Sequence, residues 1–198
     1  RHFVRRSSPL SRVGSWTEMA IARSGSADFG LNTNNAAYIC GSGSNRLLIA
    51  GLFMDSNDGG PSFTYGGVSM TLIATVADVV DRAISLFYMY APAIGANTLS
   101  VSWSITPGNF HLVAADYSGV LQSGQPDGYA TAADMGGVSP LTATGTVTAA
   151  NSWMVGLSRD NAGAAVTWTA PGSMAALRTT GTGLSLADSN GTISTGSI

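Results

Sequence analysis

From Met19 onward the chain is a succession of short apolar or alternating runs separated by turn-forming residues. NRLLIAGLFMD is closed by SNDGGP, GVSMTLIATV follows FTYGG, AISLFYMYA leads through PAIGAN into TLSVSWSI, and PGN introduces FHLVAADYSGV. Beyond these come LTATGTVTA, SWMVGLSRD, AAVTWTA, LSLAD and TIS, punctuated by NS, DNAG, PGS and DSNG. Successive residues of a strand face opposite sides, so period-two apolar runs bounded by Gly, Pro, Asn and Asp predict strands and their connections. No segment sustains a capped helical period; the best candidate, TVADVVDRA, is short and reads as a turn or strand end.

The segment ISLFYMYAPAIGANTLSVSWS shows the pattern most clearly. Ile84, Leu86, Tyr88 and Tyr90 share one face of the first run, with Ser85, Phe87 and Met89 on the other, so both faces are largely apolar. That is the signature of a strand near the middle of a sheet covered on each side. In the second run Leu99, Val101, Trp103 and Ile105 alternate with Ser100, Ser102 and Ser104, giving one buried face and one wet one. The two runs read as a pairing unit whose connection, APAIGAN, is longer than a two-residue hairpin loop. About ten to thirteen such strands predict an all-β, antiparallel two-sheet β-sandwich or jelly roll rather than a small barrel.

Length and charge refine this picture. The 198 residues suffice for one well-buried domain, and the charged fraction of 10% is far below that of an average domain. Polar coverage must come from Ser, Thr, Asn and backbone. There is no lysine, and Glu18 is the only glutamate. Arg1, Arg5, Arg6, Arg12 and Arg23 precede Asp28 with Glu18 as their only acid, a balance of +4; four arginines against ten aspartates leave −6 for the rest, summing to the net −2. The organisation expected is a basic, Ser-rich extended N-terminal arm over residues 1–18 and a single β-sandwich over 19–198. MAIARSGS at Met19 also resembles a polypeptide start, while GTISTGSI stops within what reads as a new strand, whose absence would leave an edge for a partner.

The longest apolar run, LLIAGLFM, is far shorter than the ~20 residues of a membrane-spanning helix, and no membrane partner is expected. The first residues lack the continuous apolar centre of about 7–15 residues that marks a signal peptide. Cys40 is alone, which excludes an internal disulfide and CxxC zinc sites, and it is expected to pack as a small apolar residue. GGVS occurs at Gly66–Ser69 and again at Gly136–Ser139, too short a match to establish a repeat.

Catalytic chemistry finds little footing. His111 is the only histidine of the domain and has no GxSxG elbow to serve; a histidine facing a polar surface or an interface is the expectation. A glycosidase pair would have to be built from aspartates, and these fall mostly at strand ends and in turns, where Asp serves the backbone. No cofactor and no metal are expected, although DSNDGG, with Asp55, Asn57 and Asp58, concentrates oxygen ligands of the kind that suit Ca²⁺. Trp16, Trp103, Trp153 and Trp168 are candidates for sugar stacking, but Trp103 and Trp153 fall in strand text; Tyr129, in QPDGYAT after Asp127, is the aromatic expected to be exposed. The body is acidic and lacks a basic stripe, so nucleic acid is not the expected partner. Arg5 and Arg6 are better suited to bidentate pairs with aspartates of a neighbouring copy.

The order NRLLIAGLF, FTYGGVSMTLIA, DRAISLFYMYAPAIGANTLSVSWS, AADYSGVLQSGQPD, TATGTVTAANSWMVGLSRD and LSLADSNGTISTGS resembles a set of phage and prophage-associated proteins. Their signatures are a YGG-V-x-M-T strand, an AP-x-x-G-x-N-T connection and a YSGV-x-Q strand end. The resemblance spans about Met19 to Ile198 and implies a lectin-like β-sandwich carried on a virion or other extracellular surface assembly, with no catalytic residues. It implies a non-enzymatic structural protein that self-associates into a homo-oligomer, or docks onto capsid or tail proteins, through its arm (Arg1, Arg5, Arg6, Arg12) and sheet edges. The alternative is a module that binds surface glycans or a receptor through the loops of Asp55, Asn57 and Asp58 and of Asp127 and Tyr129.

Overall fold

A computed structural model describes residues 20–57, 59–78, 81–133, 142–160, 167–168 and 174–197. These residues form fourteen strands and no helix. The strands are β1 (Ala22–Leu31), β2 (Asn35–Cys40), β3 (Leu47–Met54), β4 (Ser62–Tyr65), β5 (Val68–Ser69), β6 (Thr71–Ala77) and β7 (Ala83–Tyr90). They continue with β8 (Gly95–Ser102), β9 (Phe110–Ser118), β10 (Thr146–Val147), β11 (Val155–Arg159), β12 (Ala175–Thr179), β13 (Leu184–Asp188) and β14 (Gly196–Ser197). The segment TVADVVDRA holds no helix among its described residues: β6 ends at Ala77, and Asp78 accepts both the backbone N–H and the Nε–H of Arg82 across the turn into β7.

The first nine strands make two sheets, ordered β1-β9-β3-β7-β6 and β2-β8-β4-β5. Four of the pairings are nested: β1 with β9, β2 with β8, β3 with β7 and β4 with β5, all antiparallel. This is one long hairpin rolled over on itself, and the contacts β3 with β9 and β4 with β8 close the roll. The result is the jelly-roll form of an antiparallel β-sandwich. The tip of the hairpin is Gly66-Gly67, with φ of 57° and 79°, between Tyr65 and Val68. Two successive positive φ values are what a two-residue type I′ connection requires, and glycine adopts them without strain.

The nesting corrects one expectation. β7 and β8 are not partners: β7 pairs with β3 from Leu47↔Tyr90 to Met54↔Ala83, β8 pairs with β2 and β4, and APAIGAN carries the chain between sheets. Trp103 and Trp153 likewise lie just outside β8 and β11 rather than within them.

The larger sheet is covered on both faces, which explains why all eight residues of β3 are buried. On one side Leu48, Ala50, Leu52 and Met54 join Phe87, Leu112 and Ala114 against Tyr38, Phe63, Tyr65, Leu99 and Val101 of the smaller sheet. On the other side Leu47, Ile49, Phe53, Val113, Ala115 and Tyr117 meet Leu184 and Leu186. These last two belong to a third sheet, β11-β13-β12, which lies over the outside of the sandwich. Gly51 shows how closely this cover sits: a Cβ there would lie 2.6 Å from Leu157 Cδ1 of β11 and 3.0 Å from Val113 Cγ2. The chain's last described strand, β14, pairs with β10, and Ile193 bridges to Ser152.

Cys40 is buried in the core between the two sheets, as expected, and burial pushes its thiol up to about 11. The runs of β1, ARSGSADFGL, and β12, AALRT, are not among the strands expected from the sequence.

Candidate functional site

The end of the sandwich where β3 finishes and β7 begins gathers charged loops. Asp55 follows β3, Asp78, Asp81 and Arg82 form the turn into β7, and Arg159 and Asp160 close β11. Asp55 Oδ2 accepts from Asn109 Nδ2 at 2.8 Å, and the Asp55 N–H donates to the Asn109 carbonyl at 2.9 Å. Asp55 Oδ1 is buried and has no hydrogen-bond partner among the described residues. The Asn57 N–H donates to Asp81 Oδ2 at 3.3 Å, tying the β3–β4 loop to the β6–β7 turn. The Arg159 guanidinium sits 3.7 Å above the Phe53 ring; burial, with Arg82 nearby, lowers its proton affinity, while Asp78, Asp160 and Asp55 act in the opposite sense. Four aspartates (55, 78, 81, 160) against two arginines (82, 159) give this end a balance of 2 − 4 = −2. Asp58 lies outside the described residues.

Asp127 and Tyr129 belong to the opposite end. Gln125, just before them, accepts a hydrogen bond from the hydroxyl of Tyr90, the last residue of β7. Asp127 Oδ2 accepts from Thr148 Oγ1 and the Ala149 N–H, each at 3.2 Å, and from Ser152 Oγ at 3.4 Å. Its carboxylate thus anchors the 148–152 turn. Tyr129 is 67% exposed, as expected of it. The two loop sets singled out in the sequence therefore do not form one site: a strand of eight residues, about 25 Å, separates them.

The stacking candidates that are described are engaged internally. Trp103 Nε1–H points at Met54 Sδ, 3.2 Å away, and its ring packs on Phe110; Trp153 packs edge-on to Tyr117, and Trp168 Nε1–H donates to Ser185 Oγ. Trp16 and the arm residues Arg1, Arg5, Arg6 and Arg12 lie outside the described residues. The described chain enters at the Tyr129 end, since Ala22 of β1 pairs with Ser118, the last residue of β9.

Polar groups outside the candidate loops wire the layers together. Asp116, 1% exposed in the middle of the fold, accepts the Tyr38 hydroxyl at 2.7 Å and the Gly41 N–H at 2.9 Å. Asp188, fully buried, has Arg23 Nη1 2.9 Å from both its oxygens and also accepts from the Tyr117 hydroxyl at 3.0 Å. Arg23 therefore belongs to the domain's internal wiring and not to the arm. Burial and these carboxylates raise the Tyr38 and Tyr117 phenols well above the usual range.

His111 is 5% exposed, which removes the polar surface from the two placements expected of it, a polar surface or an interface. Its Nε2 is 2.5 Å from Asp28 Oδ1 of β1, and its Nδ1 is 3.2 Å from Thr182 Oγ1 in the β12–β13 turn. The backbone N–H groups of Thr182 and Leu184 donate to Thr180 Oγ1, which is 2.8 Å from Thr182 Oγ1. Both ring nitrogens thus have a partner, Nε2 the Asp28 carboxylate and Nδ1 the Thr182 hydroxyl. The arrangement clips the cover sheet to β1 and β9. His111 reaches Thr182 and Asp28 across sequence separations of 71 and 83 residues, so no local motif announces the clip.

Comparison of the chain with family models, curated proteins and solved structures returns no match.

Proposed function

We propose that this is a non-enzymatic structural protein of a virion, decorating a capsid or associated with a tail, or of a similar extracellular surface assembly. It works by self-association or by docking onto capsid or tail proteins, with the N-terminal arm and sheet edges as its contacts. The observation that carries the reading is the polarity of charge along the sandwich. The described chain begins beside the Ala22↔Ser118 pair at one end, with Arg1, Arg5, Arg6 and Arg12 earlier in the sequence, while Asp55, Asp78, Asp81 and Asp160 crowd the other end. A basic segment ahead of β1 would suit the acidic loops of a following copy, a head-to-tail relation of the kind that builds rings or filaments. Arg–carboxylate forks supply the direction of the contact. The jelly-roll topology and the resemblance of the strand and turn signatures to phage-associated proteins support the same reading, as analogies of fold.

The test is sedimentation of the full chain over a range of salt. Species larger than the monomer are expected at low ionic strength, dissolving as salt shortens the range of the charge contact, and Arg5→Ala/Arg6→Ala should reproduce the effect of salt. A full chain that stays monomeric at every salt concentration, alone and with phage particles, would overturn the reading.

One observation favours a second reading, a carbohydrate- or receptor-binding module. Tyr129 projects into solvent from a loop whose Asp127 is pinned by three donors, an exposed ring on a fixed base. Signal on a glycan array that disappears in Tyr129→Ala supports this reading, and a blank array with and without calcium removes it.

A further inference from the structure

The sheet edges differ sharply in how they are protected. β1 carries Arg23, Asp28 and two register breaks; β6 has a break between Leu72 and Ala74; β12 has one between Ala176 and Arg178; and β11 ends in Arg159. β5, β10 and β14 are two residues each. Bulges, charge and shortness are the usual means of preventing an edge from pairing with another chain. β2 has none of them. Its six residues, NAAYIC, contain no charge and no proline, and they pair with β8 without interruption from Asn35↔Ser100 to Cys40↔Gly95. Among the described residues nothing pairs with its other side.

The ladder also shows which groups face that open side. Asn34, opposite Val101, accepts the Val101 N–H at 2.9 Å, so that pair is of the hydrogen-bonded kind. By the alternation of an antiparallel ladder, residues 36, 38 and 40 turn their backbone groups to β8, and Asn35, Ala37 and Ile39 turn theirs outward. The side chains of these same three residues are turned away from the core, Ile39 being 69% exposed, while Tyr38 and Cys40 point into it. The sheet behind this edge is uncharged throughout: β2, β4, β5 and β8 contain no Asp, Glu, Lys or Arg.

We propose that β2 is the self-association edge of this protein: β2 of a second copy adds antiparallel to it across a two-fold axis, joining two four-stranded sheets into one of eight strands. Opposed residues must project to the same face, so Ala37 lies opposite its own counterpart and Asn35 lies opposite Ile39 of the second copy. In this register every outward N–H and C=O of Asn35, Ala37 and Ile39 finds a partner. The small Ala37 at the axis permits close approach, Ile39 of each copy is covered, and no like charges meet. A second copy is the occupant because an edge with this pattern complements itself, as a two-fold contact requires.

The inference deepens the self-association named above and stands apart from the arm. Its test is sedimentation velocity over a concentration series, with amide hydrogen exchange, on the full chain and on Ala37→Lys and Ala37→Pro. In Ala37→Lys each introduced ammonium would face its own counterpart across the axis, and in Ala37→Pro the proline removes one outward donor while leaving the β8 ladder intact. Leu72→Lys, on the bulged edge of β6, is the control. Expected is a dimer in which the amides of Asn35, Ala37 and Ile39 are protected, a dissociation constant raised about tenfold or more by either Ala37 variant, and no effect of Leu72→Lys. Persistence of the dimer in a chain starting at Met19 would support an edge independent of the arm. Association abolished by that truncation but untouched at Ala37 would overturn the edge while sparing the arm. A monomer at all concentrations, or fast exchange at Ala37 and Ile39 within a dimer, would also overturn it.

Discussion

Arg23 and Asp188 join the first strand of the jelly roll to the middle strand of the cover sheet, and breaking that link has an asymmetric cost. Asp188 is fully buried, whereas the Arg23 side chain is 30% exposed. Arg23→Ala strands a carboxylate whose remaining donors among the described residues are the Tyr117 hydroxyl and the Asn190 N–H, a change of the kind that costs about 3–5 kcal/mol. Asp188→Asn removes the charge but keeps an acceptor near Tyr117, and the released guanidinium can reach water, so about 2 kcal/mol is expected. With both changes no uncompensated charge remains, and the double variant should fall short of the sum by about 1.5 kcal/mol or more. Urea unfolding followed by tryptophan fluorescence suits the purpose, because Trp153 packs on Tyr117, 6.1 Å between ring centroids. Additivity within about 0.5 kcal/mol, or Arg23→Ala costing less than Asp188→Asn, would refute the claim that a buried ion pair fastens the cover.

Three further outcomes follow from the packing. Gly51→Ala should cost about 2 kcal/mol through its clash with Leu157, and Leu157→Ala in the same chain should lose less stability than the two single changes predict, as read from thermal melts. His111→Leu leaves Asp28 able to rehydrate but strips Thr182 of its ring partner, so a loss of about 2 kcal/mol is expected in denaturant titrations; no change would dismiss the clip. The Cys40 thiol is raised from 9.0 to about 11 in the folded protein, so its contribution is fully present below pH 9 and is lost as pH rises towards 11. The corresponding loss, about 2–3 kcal/mol between those limits, should be smaller in Cys40→Ala in urea titrations at about pH 8 and about pH 10.5.

The strands that carry the core were legible because their chemistry is local. LLIAGLFM, AISLFYMY and FHLVAADYS became β3, β7 and β9, and the turn residues between them fell where expected. β1 was not legible, since ARSGSADFGL has scattered apolar positions and register breaks, and its strand form is imposed by β9. The third layer left a trace in LLIAGLFM, which has no position suited to water, yet the partner covering its far face lies more than a hundred residues later. Neighbouring runs such as β7 and β8 suggest a hairpin, and only the nesting of the whole roll shows that each pairs elsewhere. For the candidate loops, sequence chemistry marked Asp55 and Tyr129 as loop residues but not that they stand at opposite ends. The β2 edge was invisible for the opposite reason: its distinction is the absence of protective features, which counts only once the strand is known to be an edge.

Light scattering after size exclusion, on the full chain and on a chain starting at Met19, bears first on whether the arm and the β2 edge join copies of this protein. A defined oligomer is expected for the full chain and a smaller species for the truncated one, no smaller than a dimer if the β2 edge holds. The same monomer for both chains would contradict this expectation.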